Sequence, residues 1–144
     1  MSLTLFVIYN NSTSFLGKLG YNFRRMSATA ESGSACAASD LTHGGDDEQE
    51  KPEWIETKKH IPATIEQVHY DKAPADLKKY VEKNHYEYPC IVGKGPDGRY
   101  HMLLTDSDLG EVSHDYQKFM KVLRANVKSN GLPWDESKPA AVAA

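Results

Sequence analysis

Cys90 and His101 are the one pair of residues whose types and spacing could support nucleophilic catalysis. A catalytic thiol needs a base within hydrogen-bond reach, and these residues lie on consecutive predicted strands joined by a short turn. If Lys94 pairs with Arg99 across that turn, His101 becomes a diagonal neighbour of Cys90 on the same face of the sheet. The alternative is that Cys90 is a small buried apolar residue, as free cysteines commonly are.

The sequence contains no motif for binding a metal ion or a phosphate group. The five histidines between residues 60 and 114 form no H-x-x-x-H or H-E-x-x-H spacing, and the two cysteines, Cys36 and Cys90, form no C-x-x-C. The glycines Gly93 and Gly95 lead into a turn and a strand rather than into a helix, so they do not make a phosphate loop. We therefore predict no metal site and no cofactor.

Tyrosines and one histidine mark the surface that we predict for a partner. The residues are His85, Tyr86, Tyr88 and Tyr100. Tyrosine has an apolar body and a polar tip, which suits both a protein interface and the rim of a small core. The stretch from His85 to Tyr88 lies between a predicted helix and a predicted strand, and such connecting segments often carry binding residues.

The elements that position these residues follow from local patterns. β-branched and aromatic residues predict a strand over residues 63–70, and apolar spacings of three and four predict a helix over residues 74–84. Residues 88–94 and 99–105 predict a hairpin, because Gly95-Pro96-Asp97-Gly98 between them is a strong turn sequence.

One long helix is predicted to follow, capped by Asp106 or Ser107 and ended by Asn130-Gly131. Its apolar stripe comprises Leu109, Val112, Tyr116, Phe119 and Leu123. The order strand, helix, strand, strand, helix predicts an α+β fold, with a small antiparallel sheet and the helices packed on one face. The stripe could instead form a seam for a homo-oligomer.

The 144-residue chain divides by composition into four segments. We predict that residues 52–134 form a single domain and that residues 135–144 are a disordered tail. Residues 26–50 carry six acids and no lysine or arginine, and this composition predicts that residues 26–51 are a disordered linker. No apolar run approaches the roughly 20 residues that span a bilayer, so no transmembrane segment is predicted.

Residues 1–25 contain three basic residues and no acids. This composition is typical of a mitochondrial transit peptide. A secretory signal is a rival interpretation, because the chain begins with a short apolar run. A third is that Met26 is the true start, which would favour a cytoplasmic protein. Mitochondrial localisation is the expectation that we carry forward.

These observations favour a non-catalytic protein-interaction module or an accessory subunit, for example of an organellar complex, over an enzyme. The alternative is a small enzyme or ligand-binding domain with a groove near Cys90 and His101. The domain from residue 52 onward has balanced charges and follows an acidic segment. Nucleic-acid binding depends on an excess of lysine and arginine, so a protein is the expected partner and nucleic acid is not.

Overall fold

The computed structural model describes residues 2–10, 36–43, 49–137 and 141–142. The helices within these residues are α1 (Ala37–His43), α2 (Pro52–Lys58), α3 (Ala75–Lys83), α4 (Asp106–Val112) and α5 (Tyr116–Ser129), and a 3₁₀ turn spans Tyr70–Lys72. The strands are β1 (Thr4–Tyr9), β2 (Thr64–His69), β3 (Cys90–Lys94), β4 (Tyr100–Leu104) and β5 (Ala141–Val142). They form one sheet in the order β4-β3-β1-β2-β5. The predicted α+β fold is confirmed.

The central strand of this sheet is β1. Its residues fall within residues 1–25, which were predicted to be a targeting leader. Strand β1 pairs in parallel with β2 and antiparallel with β3, and every residue from Leu5 to Tyr9 is buried. A strand that is covered on both faces has a continuous run of apolar residues without polar alternation. Such a short run resembles the apolar part of a targeting signal, which is why the sequence did not predict a strand there. Residues 4–9 therefore belong to the domain, which does not begin at Pro52. The cellular compartment stays a prediction.

The acidic segment also contributes to the core. Helix α1, within the predicted linker of residues 26–51, buries Ala37, Ala38 and Leu41 beside Cys36. Small side chains let this helix approach the sheet closely, which offsets its low content of large apolar residues. The predictions for residues 11–35, 44–48, 138–140 and 143–144 lie outside the described residues. Within the predicted disordered tail, Ala141–Val142 forms β5 and pairs with β2.

The sheet is mixed rather than antiparallel, and helices cover both of its faces rather than one. Leu5, Val7 and Tyr9 of β1 point into a large core shared with α1, α2, α4 and α5. Phe6 and Ile8 point into a small core covered by Leu77 and Val81 of α3. The alternation of side chains along β1 therefore separates two apolar clusters.

The predicted hairpin is present. Strands β3 and β4 pair in antiparallel fashion, and the Gly98 N–H donates to the Gly95 carbonyl at 3.0 Å across the turn. Gly98 has a φ of +78°, the left-handed region that glycine enters without steric strain.

The predicted long helix is two helices. Thr105 caps α4 through a reciprocal capping box with Asp108, and Asp115 caps α5 by accepting from the Lys118 N–H at 3.1 Å. The Asp115 cap begins a new helix after α4 has ended at Val112. The sequence did not predict this break because the apolar spacing continues regularly across it. Leu109, Val112, Phe119 and Leu123 all lie in the large core, so this stripe is not exposed for the predicted homo-oligomer contact. None of the described helices is long and apolar enough to cross a membrane.

Candidate functional site

The hairpin register places Cys90 and His101 on opposite faces of the sheet. Lys94 pairs with Tyr100 rather than with Arg99, and Gly93 pairs with His101. A Cβ built on Gly93 would lie 2.8 Å from Leu103 and 3.1 Å from Leu132, both residues of the large core, whereas Cys90 belongs to the small core. A shift of one residue in register reverses the face of every side chain. The predicted catalytic pairing is therefore not formed.

The environment of Cys90 opposes nucleophilic chemistry. The side chain is fully buried among apolar residues such as Ile8 and Val92. Burial, together with the negative charge of Asp106, raises the pKa of the Cys90 thiol to about 12. Because the thiolate is the reactive form, this cysteine is a packing residue at neutral pH.

Five tyrosines form a partly buried surface over the small core, which we call the tyrosine face. Its members are Tyr70, Tyr80, Tyr86, Tyr88 and Tyr100. Ring centroids are 5.5 Å apart for Tyr70 and Tyr88, 6.2 Å for Tyr80 and Tyr86, and 5.8 Å for Tyr80 and Tyr100. Three of the predicted partner-binding residues thus lie on one surface.

An open cleft of about 390 Å³ lies at one end of the tyrosine face. It is lined by Asn10, Tyr70, Lys78, Glu82, Tyr86, Glu87 and Tyr88. Asn10 and Tyr70 directly follow the parallel strands β1 and β2, and Tyr88 shortly precedes the antiparallel strand β3. The mixed topology therefore brings three distant segments together at one end of the sheet, and α3 supplies the remaining wall.

The hydroxyl groups of Tyr88 and Tyr100 stay protonated at physiological pH. Burial and the nearby charge of Glu82 raise the pKa of Tyr88 to about 12, and its hydroxyl donates to Glu82 Oε2 over 3.5 Å. Burial, assisted by Asp76, raises the pKa of Tyr100 to about 12 as well. These two tyrosines can therefore act as neutral hydrogen-bond donors and as π faces, but not as nucleophiles.

No protein-family model, curated protein or solved structure matches this chain.

His85 lies beside the tyrosine face but does not line the cleft. It is exposed and has a φ of +62°, directly after the last turn of α3. Its N–H donates to the Glu82 carbonyl at 3.1 Å, and the Tyr86 N–H donates to the Val81 carbonyl at 3.0 Å. These bonds end the helix and turn the chain so that Tyr86 reaches the cleft.

A separate polar network lies on the large-core side and is structural. The Gln67 amide donates to the Tyr9 hydroxyl at 2.8 Å and accepts from Lys58 Nζ at 3.2 Å. Lys58 is buried and pairs with Glu50 at 2.8 Å. Burial raises the pKa of Tyr9 to about 12. Among the described residues, no cluster of three His, Cys, Asp or Glu side chains could hold a metal ion.

Several cleft residues were absent from the sequence prediction. Lys78 and Glu82 are four apart on α3, a spacing that identifies neighbours on one helical face. Asn10 and Tyr70 could be placed together only after β1 had been recognised as a strand parallel to β2. Tyr80 of α3 packs on the small core, and its ring links Tyr86 to Tyr100.

Proposed function

We propose that this chain is a non-catalytic protein-interaction module or accessory subunit that binds a protein partner through the tyrosine face. The observation that supports this most is the set of five partly exposed tyrosines over the sheet face that α3 covers. Tyrosine is enriched at protein interfaces and among the residues that dominate binding energy, because it buries a large rigid area with little loss of side-chain freedom.

The catalytic alternative has lost its geometric basis. A groove near Cys90 and His101 would need both side chains on one face, and the register separates them. The described cleft opens instead beside Tyr86 and Tyr88. The proposed function does not depend on whether the protein is mitochondrial or cytoplasmic.

Affinity purification from the native source, with mass spectrometry, tests this proposal. The wild type is compared with Tyr86→Ser/Tyr88→Ser and with Ile55→Ser as the matched control. Ile55 is 43% exposed on α2, away from the tyrosine face. We expect the tyrosine variant to lose a specific partner by about tenfold or more, as hot-spot tyrosines do.

Circular dichroism must first show that both variants fold, since a misfolded protein loses partners for a trivial reason. Undiminished capture by a folded tyrosine variant would refute the proposal. Equal loss with Ile55→Ser would place the interface elsewhere.

A further inference from the structure

Resting on the proposed function, we infer that the cleft of the tyrosine face binds an arginine side chain of the protein partner. The cleft is open, has a volume of about 390 Å³, and offers ring faces and carboxylates together. That volume lies near the lower end of the roughly 300 to 1,000 Å³ typical of ligand pockets. It suits one long side chain better than a helix or a strand.

The aromatic part of the cleft consists of Tyr70, Tyr86 and Tyr88. The face of a tyrosine ring carries negative potential and attracts a cation within about 6 Å of its centroid. Tyrosines elsewhere in this chain already have that role. Lys94 Nζ lies 5.3 Å from the Tyr100 centroid, and Lys51 Nζ lies 5.2 Å from that of Tyr116.

The charged part of the cleft is net acidic. Glu82 and Glu87 line it and are exposed, whereas Lys78 is its only lysine or arginine. Within the described part of the chain, neither carboxylate forms an ion pair, and Lys78 forms none either. Lys78 lies one helical turn from Glu82, and its long side chain can extend into solvent when a ligand enters. An anionic ligand would face both carboxylates, so the charge selects a cation.

Arginine fits this combination better than lysine does. Its guanidinium group is planar, stacks on aromatic rings and donates two parallel hydrogen bonds to a carboxylate. Lysine carries a compact and strongly hydrated charge that uses the rings less well. The cleft offers both an aromatic ring face and a carboxylate to a guanidinium group. The Tyr88 hydroxyl contacts Glu82 Oε2 at 3.5 Å and so holds this carboxylate beside the ring.

Nuclear magnetic resonance titration with three blocked tripeptides tests this inference on the full chain. The probes are acetyl-Gly-Arg-Gly-amide, its citrulline analogue, which has nearly the same shape without the charge, and the lysine analogue. We expect the arginine peptide to shift the ring signals of Tyr86 and Tyr88. Its affinity should exceed that of the citrulline peptide by about fivefold or more, with lysine between them.

Variants then separate charge from shape. Glu82→Gln/Glu87→Gln should weaken arginine binding about fivefold or more, while Glu53→Gln/Glu56→Gln on α2 should leave it unchanged. Tyr88→Phe keeps the π face and should retain most of the binding, whereas Tyr88→Leu should lose it. Raising the salt concentration should weaken the arginine peptide and not the citrulline peptide.

Equal affinity for arginine and citrulline, or no binding of the arginine peptide, would overturn the inference. If that happens while Tyr86→Ser/Tyr88→Ser still loses its partner, the proposed interface stands and only the arginine assignment fails. If the arginine peptide binds as expected but partner capture is indifferent to the tyrosines, the cleft is a cation site and the proposed function fails.

Discussion

The Tyr80 hydroxyl accepts a hydrogen bond from the Met102 backbone N–H at 2.9 Å, on the edge strand β4 of the sheet. The Asn126 amide donates to the neighbouring Leu103 carbonyl at 2.7 Å. Side chains from α3 and α5 therefore satisfy adjacent backbone groups on this edge. Free edge groups can pair with a strand of another molecule, so these two bonds protect the edge against such pairing.

Tyr80→Phe combined with Asn126→Leu should release both edge groups and promote self-association. Each lost bond should also lower the free energy of unfolding by about 1 kcal/mol. Sedimentation velocity over a range of concentrations measures the association. Tyr116→Phe is the control, because it removes a bond to the Leu41 carbonyl at 2.7 Å that lies away from the edge. Equal association in this control would show that edge protection is not the cause.

Removal of residues 1–25 should abolish cooperative folding. That deletion takes away the strand between β2 and β3, leaving two strands that do not otherwise meet. Leu5→Ala should lower the free energy of unfolding by about 2 to 5 kcal/mol, since it leaves a cavity in the large core. The exposed change Ser2→Ala should have little effect. A normal thermal transition in the deleted chain would contradict the central position of β1.

Phe119→Ala should lower the free energy of unfolding by about 3 to 5 kcal/mol. Phe119 is 1% exposed, and its ring packs edge-on to Trp54 with centroids 5.9 Å apart. Since small domains have only about 5 to 15 kcal/mol of stability, the variant should lie close to unfolding. Chemical denaturation followed by tryptophan fluorescence measures the loss. Lys121→Ala, an exposed change on the same helix, should be nearly neutral, and a neutral Phe119→Ala would contradict the core position.

Glu50→Gln should destabilise the fold because it leaves the buried Lys58 ammonium without a countercharge. Burial alone would raise the pKa of Glu50, but the hydrogen bond and the charge of Lys58 hold it below its ordinary value of 4.5. We expect a loss of about 1 to 3 kcal/mol at pH 7, less than for a fully buried pair because the carboxylate is partly exposed.

The sign of this pH dependence follows from the lowered pKa. The stability that Glu50 contributes is present above pH 4.5 and is lost as the pH falls through the lower folded-state pKa. Denaturant melts of the wild type and Glu50→Gln should therefore converge in acid. Glu56→Gln is the control, because its carboxylate pairs with exposed Lys59 at 3.3 Å and should contribute little at any pH. A constant gap between wild type and Glu50→Gln down to about pH 3 would contradict the ion pair as its source.

His85→Gly should raise the free energy of unfolding by about 0.5 to 1 kcal/mol. The φ of +62° at this position strains any residue with a Cβ atom, and glycine adopts it freely. His85→Ala is the matched control, because it removes the imidazole and keeps the strain. Equal stability of the two variants would show that the backbone is not strained there.

The sequence by itself determined the features whose causes lie within a few residues of one another. The turn from Gly95 to Gly98 formed as expected, because proline and glycine preset its dihedral angles. Helix α5 ends at Asn130 and Gly131, where Gly131 has a φ of +73°. The apolar stripe through Phe119 was likewise visible in the spacing, although the break between Val112 and Tyr116 was not.

Only the tertiary structure decided which strands β1 pairs with and in which register the hairpin strands pair. Thr4 pairs with Thr64 and with Lys94, and no local preference specifies partners so distant in the chain. The register of β3 against β4, which separates Cys90 from His101, likewise depends on how both strands pack on the cores. The cleft joins the ends of β1 and β2 to α3, so it exists only once the sheet has formed. Strand pairing and burial depend on contacts between residues that are distant in the chain, whereas turns and helix caps depend on residues that are close in the sequence.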